Sequence, residues 1–287
     1  MKHNYNHIGP LDPETEDNFF TKLKVPYEKS KEDIWAALEK KISEQPAGKP
    51  ATLRTNRFVW AVAASFLLLA GLIAMFRYYS TSVTCPAGEH LSYELPDGSR
   101  IELNAGSKII LKPLWWKISR ELYFEGEAYF EVKKGNNFSV RSSNGLTEVL
   151  GTSFNIYSRG NDYRVTCLTG TVKVTSLSSE SVVIGPEYTA EVTKQGEIHV
   201  KKEINAEESM NWINNMFRFT SKPLAMVFEE IGRQYDIKIT LKAPVDFLYT
   251  GYFTKNRPAE QSLSLVCTPF GLNFVRVSER EYVISKE

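Results

Sequence analysis

The chain has 287 residues, enough for about two compact domains. It is 42% hydrophobic and 24% charged, which excludes both a wholly disordered chain and a polytopic membrane protein. Thirty-five basic against 34 acidic side chains leave +1, so no overall field draws nucleic acid, and no direct nucleic-acid partner is expected.

Residues 1–17 are polar, with Pro10, Pro13 and an acidic run, and read as a loose tail. An apolar cluster of Phe19, Phe20 and Leu23 follows, ahead of Pro26. Ser30 then opens a helix running to about Glu44, with Asp33 completing an approximate capping box. Ile34, Trp35, Leu38 and Ile42 form one stripe on it. Two short helical patterns in 57 residues bury little core, so this stripe, with Phe19 and Phe20, reads as a partner-binding face. Two alternatives stay open: the helices pack on each other, or they lie on a membrane surface. Lys49, Pro50 and their neighbours form a linker.

Phe58 to Phe76 holds 19 residues without a charge, 17 of them apolar. A helix of that length spans about 28 Å, close to the ~30 Å of a bilayer core. Arg57 and Arg77 bracket it, and Trp60, Tyr78 and Tyr79 fall at interfacial positions. A buried core helix would carry a polar stripe, and a cleavable signal would have a shorter leader and a small-x-small site. The segment reads as an uncleaved anchor. Lys40, Lys41, Lys49, Arg54 and Arg57 lie in the twenty residues before it, and Arg77 alone in the twenty after. That asymmetry places the N-terminus in the cytoplasm and residues 77–287 outside, in the periplasm if the host has two membranes.

From Gly88 to about Ile204 the apolar period is two, giving an all-β sandwich or solenoid-like unit. Leu122/Phe124 and Ala128/Phe130/Val132 alternate on either side of Glu125-Gly126. Val165/Cys167 and Val172/Val174 do the same around Thr169-Gly170. Pro96-Asp97-Gly98, Asn104-Ala105-Gly106 and Asn144-Gly145 are further turns. After Glu203 the period changes. Phe217 and Phe219 suggest a strand, Pro223 the first position of a helix, and Leu224, Val227, Phe228, Ile231 and Tyr235 its inner face. Strands at Ile237–Leu241 and Tyr249–Phe253, a helix from Pro258 with Leu263, Val266 and Phe270 inward, and strands at Leu272–Val277 and Tyr282–Ser285 complete a β-α-β-β-α-β-β module.

Catalytic signals are sparse. There is no G-x-S-x-G, H-E-x-x-H, P-loop or G-x-G-x-x-G, and neither an enzyme nor a cofactor or metal site is expected. His90 and His199 are solitary in strand-like contexts, while Glu125, Glu127 and Glu131 alternate outward as a solvated face. Cys85, Cys167 and Cys267 form no close pair, so no Cys-x-x-Cys site exists. In an oxidising compartment pairing stays open, but Cys167 and Cys267 read as small buried hydrophobes.

Three blocks carry a family likeness: LPDGSRIELNAGSKI at 95–109, LYFEGEAYFEV at 122–132, and the run from Thr147 to Val174. They resemble the FecR family in order and spacing. The stretches at 217–239 and 249–274 resemble the module that follows FecR domains, which is similar to the secretin and TonB short N-terminal domain. The resemblance implies an anti-sigma factor: an outer-membrane TonB-dependent receptor contacts the external part, and the inner segment controls an extracytoplasmic-function sigma factor. Together with the apolar span, the likeness covers about residues 57–287, and the chain divides into a sigma-interacting segment (1–57), a transmembrane helix (58–76), an all-β FecR domain (77–204) and a receptor-docking α+β module (205–287). Better-known members carry a longer, Trp-containing helical domain at the N-terminus, whereas this one has 57 residues and Trp35 alone. The competing class is a membrane-anchored periplasmic binding or scaffold protein without sigma control. The resemblance also implies self-cleavage at a Gly-Thr bond, here Gly151-Thr152, with Thr152 attacking the preceding carbonyl. Gly170-Thr171 repeats the pair in an expected hairpin turn.

Overall fold

The computed structural model describes residues 29–44 and 56–286, and the chain divides into two compact units, Met1–Ser65 and Phe66–Glu287. The first contains α1 (Lys31–Ser43), and α2 (Arg57–Tyr78) runs across the division. Thirteen strands follow: β1 (Thr81–Cys85), β2 (Leu91–Glu94), β3 (Arg100–Leu103), β4 (Ser107–Leu111), β5 (Arg120–Glu131), β6 (Phe138–Arg141), β7 (Gly145–Val149), β8 (Ser153–Arg159), β9 (Asp162–Thr169), β10 (Val172–Ser176), β11 (Ser181–Ile184), β12 (Tyr188–Val192) and β13 (Ile198–Lys202).

The strands form two sheets that share β5. Its first half lies between β4 and β6 in the order β11-β10-β7-β6-β5-β4-β1. Its second half lies between β3 and β8 in the order β2-β3-β5-β8-β9-β12-β13. Glu125-Gly126 is therefore the point where one continuous strand changes sheets, and the expected turn there is corrected. Gly126 has φ +117°, and a Cβ on it would stand 2.6 Å from the Cα of Ser107, so only glycine lets the two strands approach this closely. Thr169-Gly170 is likewise a crossing between sheets rather than a hairpin, because β9 pairs with β8 and β12 while β10 pairs with β7 and β11.

Both sheets close on one core, so the arrangement is a sandwich and not a solenoid. Phe130 stacks on Phe154 at 5.0 Å and meets Phe138 of the other sheet edge-on at 6.5 Å. Thr147 of β7 and Tyr163 of β9 hydrogen-bond across the sandwich at 2.7 Å. The three cysteines are free and buried; burial pushes the Cys167 and Cys267 thiols up to about 11, as expected of inert packing groups.

A 3-10 turn (Ala206–Asn214) leads into β14 (Met216–Pro223), α3 (Leu224–Tyr235), β15 (Lys238–Leu241), β16 (Leu248–Thr254), α4 (Ala259–Cys267), β17 (Leu272–Ser278) and β18 (Glu281–Lys286). The element order is the one the periodicity predicts. Two details differ. Pro223 stands before the helix as its cap, and Phe270 sits in a 3-10 turn after α4, where the helix has already ended. The strands split into an antiparallel β14-β16 pair and a β15-β18-β17 sheet in which β15 and β18 are parallel. Leu224, Val227, Phe228 and Ile231 of α3 meet Leu263 and Val266 of α4 in a second core.

Candidate functional site

The sites are three: an open helix face, a buried junction and a glycine–threonine step. On α1, the Ser30 hydroxyl accepts from the Asp33 amide at 3.2 Å and the Asp33 carboxylate accepts from the Ser30 amide at 3.3 Å, the expected reciprocal cap. Glu32 and Asp33 occupy the positive end of the helix, Lys40 and Lys41 the negative end. No α1 residue is buried, and Trp35 is 63% exposed. Ile34, Trp35, Leu38 and Ile42 thus lie together on a face that nothing described covers. Phe19 and Phe20 lie outside the described residues. A 13-residue helix is marginal by itself, so such a face gains most from a partner.

α2 is 22 residues long; an 18-residue stretch of it has a mean hydropathy of 2.4 and is wholly unburied. The Ser65 hydroxyl donates to the Val62 carbonyl at 2.7 Å, which satisfies its polar group within the helix, as a hydrocarbon environment requires.

The junction joins the β-sandwich to the C-terminal module through polar side chains that sequence reading missed. The Gln234 side-chain amide, on α3, donates to Asn104 Oδ1 at 2.7 Å and to Glu230 Oε1 at 2.8 Å. With both amide hydrogens so used, Gln234 Oε1 accepts from His90 Nε2, 3.2 Å away. Asn104 Nδ2 and Asn155 Nδ2 donate to Glu127 at 2.8 and 3.2 Å, and Trp212 Nε1 donates to Asn155 Oδ1 at 3.4 Å. His90 also meets the Trp212 ring edge-on at 5.2 Å. Arg233 clasps Glu230 Oε2 at 2.7 Å, and its carbonyl accepts from the Gly88 amide at 2.8 Å.

This corrects two expectations. Glu127 is not on a solvated face, although Glu125 and Glu131 are exposed, and His90 lies outside any strand, held by partners from 122 or more residues away. Its burial holds the imidazole below its ordinary value, hence neutral. Burial, and then the charge of Glu230, push the Glu127 carboxyl up. Burial would raise Glu230 too, but Arg233 and Arg159 beside it hold its carboxyl down. Asn104 and Gln234 are 130 residues apart, so no local pattern could have paired them. Beside the junction, a cavity of about 480 Å³ is lined by Tyr157, Arg164, Lys222 and Met226 among others.

Gly151-Thr152 joins β7 to β8. The Thr152 side chain is buried, and its hydroxyl donates to the Thr171 carbonyl at 3.0 Å. A Cβ on Gly151 would stand 2.8 Å from Lys134 Cα, so the backbones meet too closely for another residue. The Val132 amide holds the Thr152 carbonyl at 3.0 Å. In the C-terminal module, β15 and β17 are the edges of the three-stranded sheet, and β17 exposes Val275 and Val277, each at 61%. Among the described residues no cluster of His, Cys, Asp or Glu could hold a metal ion.

Residues 81–173 match the family described as FecR protein, and residues 216–284 match FecR, C-terminal. No curated protein matches the chain. Two crystal structures of a candidate anti-sigma factor from Parabacteroides distasonis ATCC 8503 are similar, each at 28% identity. One covers 73% of this chain and 100% of its own with a TM-score of 0.66, the other 72% and 99% with 0.65. With two successive FecR matches and a structural likeness over 73% of the chain, the chain belongs to the FecR family.

Proposed function

We propose that the chain is a single-pass anti-sigma factor of the inner membrane, with residues 1–57 in the cytoplasm and 77–287 in the periplasm. It relays a signal from an outer-membrane TonB-dependent receptor to an extracytoplasmic-function sigma factor. Family membership and the likeness to a candidate anti-sigma factor support the regulatory role; the unpartnered α1 stripe is the observation that carries the sigma contact. Ile34, Trp35, Leu38 and Ile42, extended by Phe19 and Phe20, would dock in a groove on the sigma factor, with Trp35 as anchor.

On the other side, the receptor's signalling domain would add a strand at β17, an edge of the three-stranded sheet with two exposed valines. The polar junction gives that contact a rigid route into the sandwich. Self-cleavage fits the same relay. Thr152 Oγ attacks the Gly151 carbonyl, the C–N bond breaks as the amide nitrogen takes the proton, and water hydrolyses the resulting ester to two fragments held by the surrounding strands.

The sigma contact is tested by pull-down of the cognate sigma factor with the full chain. Trp35→Ala should abolish capture, since truncating a buried interface Trp costs roughly 2 kcal/mol or more, whereas Lys31→Ala should not. Equal capture by both variants refutes docking through this face and favours a surface-lying helix in a scaffold without sigma control.

A further inference from the structure

The last turn of α2 touches the sandwich at one loop. Between β4 and β5 the chain makes a 3-10 turn, Pro113–Trp115, and continues through Trp116, Lys117 and Ile118. Trp116 is buried against Phe138 and pins the loop from inside, leaving Leu114 and Ile118 outward at 44% and 69% exposure. Two independent observations place this loop beside the end of the helix. Thr81 of β1 pairs with Leu111 of β4, so Lys112 begins where the chain has just left Tyr78, three residues or about 10 Å of extended chain away. The Arg77 guanidinium also lies over the Trp115 ring, 5.4 Å from its centroid.

We propose that this loop is a second membrane contact: Leu114, Trp115 and Ile118 enter the headgroup layer of the leaflet that α2 leaves, and Lys112, Lys117 and Arg77 bind anionic lipid headgroups there. The inference rests on α2 spanning the bilayer. The interfacial layer is about 5–8 Å thick on each side. A ring stacked under an arginine at the end of the apolar span lies within that depth. An apolar tip flanked by lysines, with a Trp at the boundary, is the composition that partitions into it. No ion pair engages Lys112, Lys117 or Arg77 among the described residues, so their charge is available to phosphate. The nearby carboxylates Asp97 and Glu121 are held by Arg120 and Arg141. Helix and loop together would fix the orientation of the sandwich on the membrane, where one flexible tether would leave it free to tumble.

The test uses the full chain in phosphatidylcholine vesicles with and without phosphatidylglycerol. Because the three native cysteines are buried, a polarity-sensitive dye reports selectively from Ile118→Cys, Phe66→Cys or Leu177→Cys. Leu177 follows β10 at the end of the sheet opposite Val172 and Val149, which makes it the aqueous reference. The expected result is loss of the 118 signal to a lipid spin label near the headgroups, loss of the 66 signal to one deep in the chains, and neither at 177. Lys112→Glu with Lys117→Glu should weaken quenching at 118 selectively in the anionic vesicles. If 118 behaves like 177 while 66 is quenched, the loop contact is overturned and the spanning helix stands. If 66 is not quenched, the spanning reading falls and the loop contact with it. Quenching at 118 indifferent to the charge reversal overturns the headgroup contact.

Discussion

Replacing Gln234 with Ala removes the central polar contacts between the β-sandwich and the C-terminal module without touching either apolar core. The side chain is fully buried and makes three hydrogen bonds, to Asn104, Glu230 and His90. Asn104 Oδ1 keeps a second donor, the Ala105 amide at 2.7 Å, so its loss is small. Glu230 Oε1 has no such replacement. A buried acceptor left unsatisfied costs about 1–3 kcal/mol, more when charged, and the space vacated by four side-chain atoms adds about 1 kcal/mol. The expected destabilisation is therefore roughly 2–4 kcal/mol, a large share of the ~5–15 kcal/mol typical of a domain. Denaturant unfolding of a soluble fragment beginning at Ser80 measures it. Hydrogen exchange on the same fragment should show α3, β14 and β16 losing protection before β5, β8 and β9, because each module keeps its own core. A loss below about 1 kcal/mol, with protection unchanged in α3, would refute the junction as an energetic link.

Glu127 supplies a pH test. Its folded-state carboxyl is raised, so the folded chain holds that proton more tightly than the unfolded one. Its contribution is fullest below the ordinary carboxylate range and is lost as pH rises through the raised value. Glu230, depressed, contributes above that range and loses its contribution as pH falls through its lowered value. The stability of the unmodified chain minus that of Glu127→Gln should accordingly grow on acidification from neutrality; a difference flat with pH refutes the assignment. For the Gly151-Thr152 step, immunoblots of the doubly tagged full chain should show two fragments of roughly half length, lost in Thr152→Ala and kept in Thr171→Ala, and full-length protein alone from a signalling chain rejects scission. Alkaline phosphatase fused after residue 90 should be active and after residue 50 inactive; the reverse would overturn the topology and the relay with it.

Legibility in this chain follows range. The capping box at Ser30 and Asp33, the apolar span and the β-α-β-β-α-β-β order are written in neighbouring residues, because helix periodicity, strand alternation and capping are local physics. The family likeness is legible for the same reason, as contiguous blocks. Crossing points between sheets were not legible: Glu125-Gly126 carries a turn's composition, yet Gly126 serves the approach of Ser107 on another strand. Nor could the outward place of Glu127 in its strand reveal that the C-terminal module covers it. The sequence by itself determined the elements, the apolar span and the apolar stripe on α1. Only the tertiary structure decided that Asn104, Glu127, Glu230 and Gln234 meet, and that the Leu114–Ile118 loop lies under Arg77. Such encounters depend on which distant surfaces close over one another, and a buried polar group finds its partner only once that closure has excluded water.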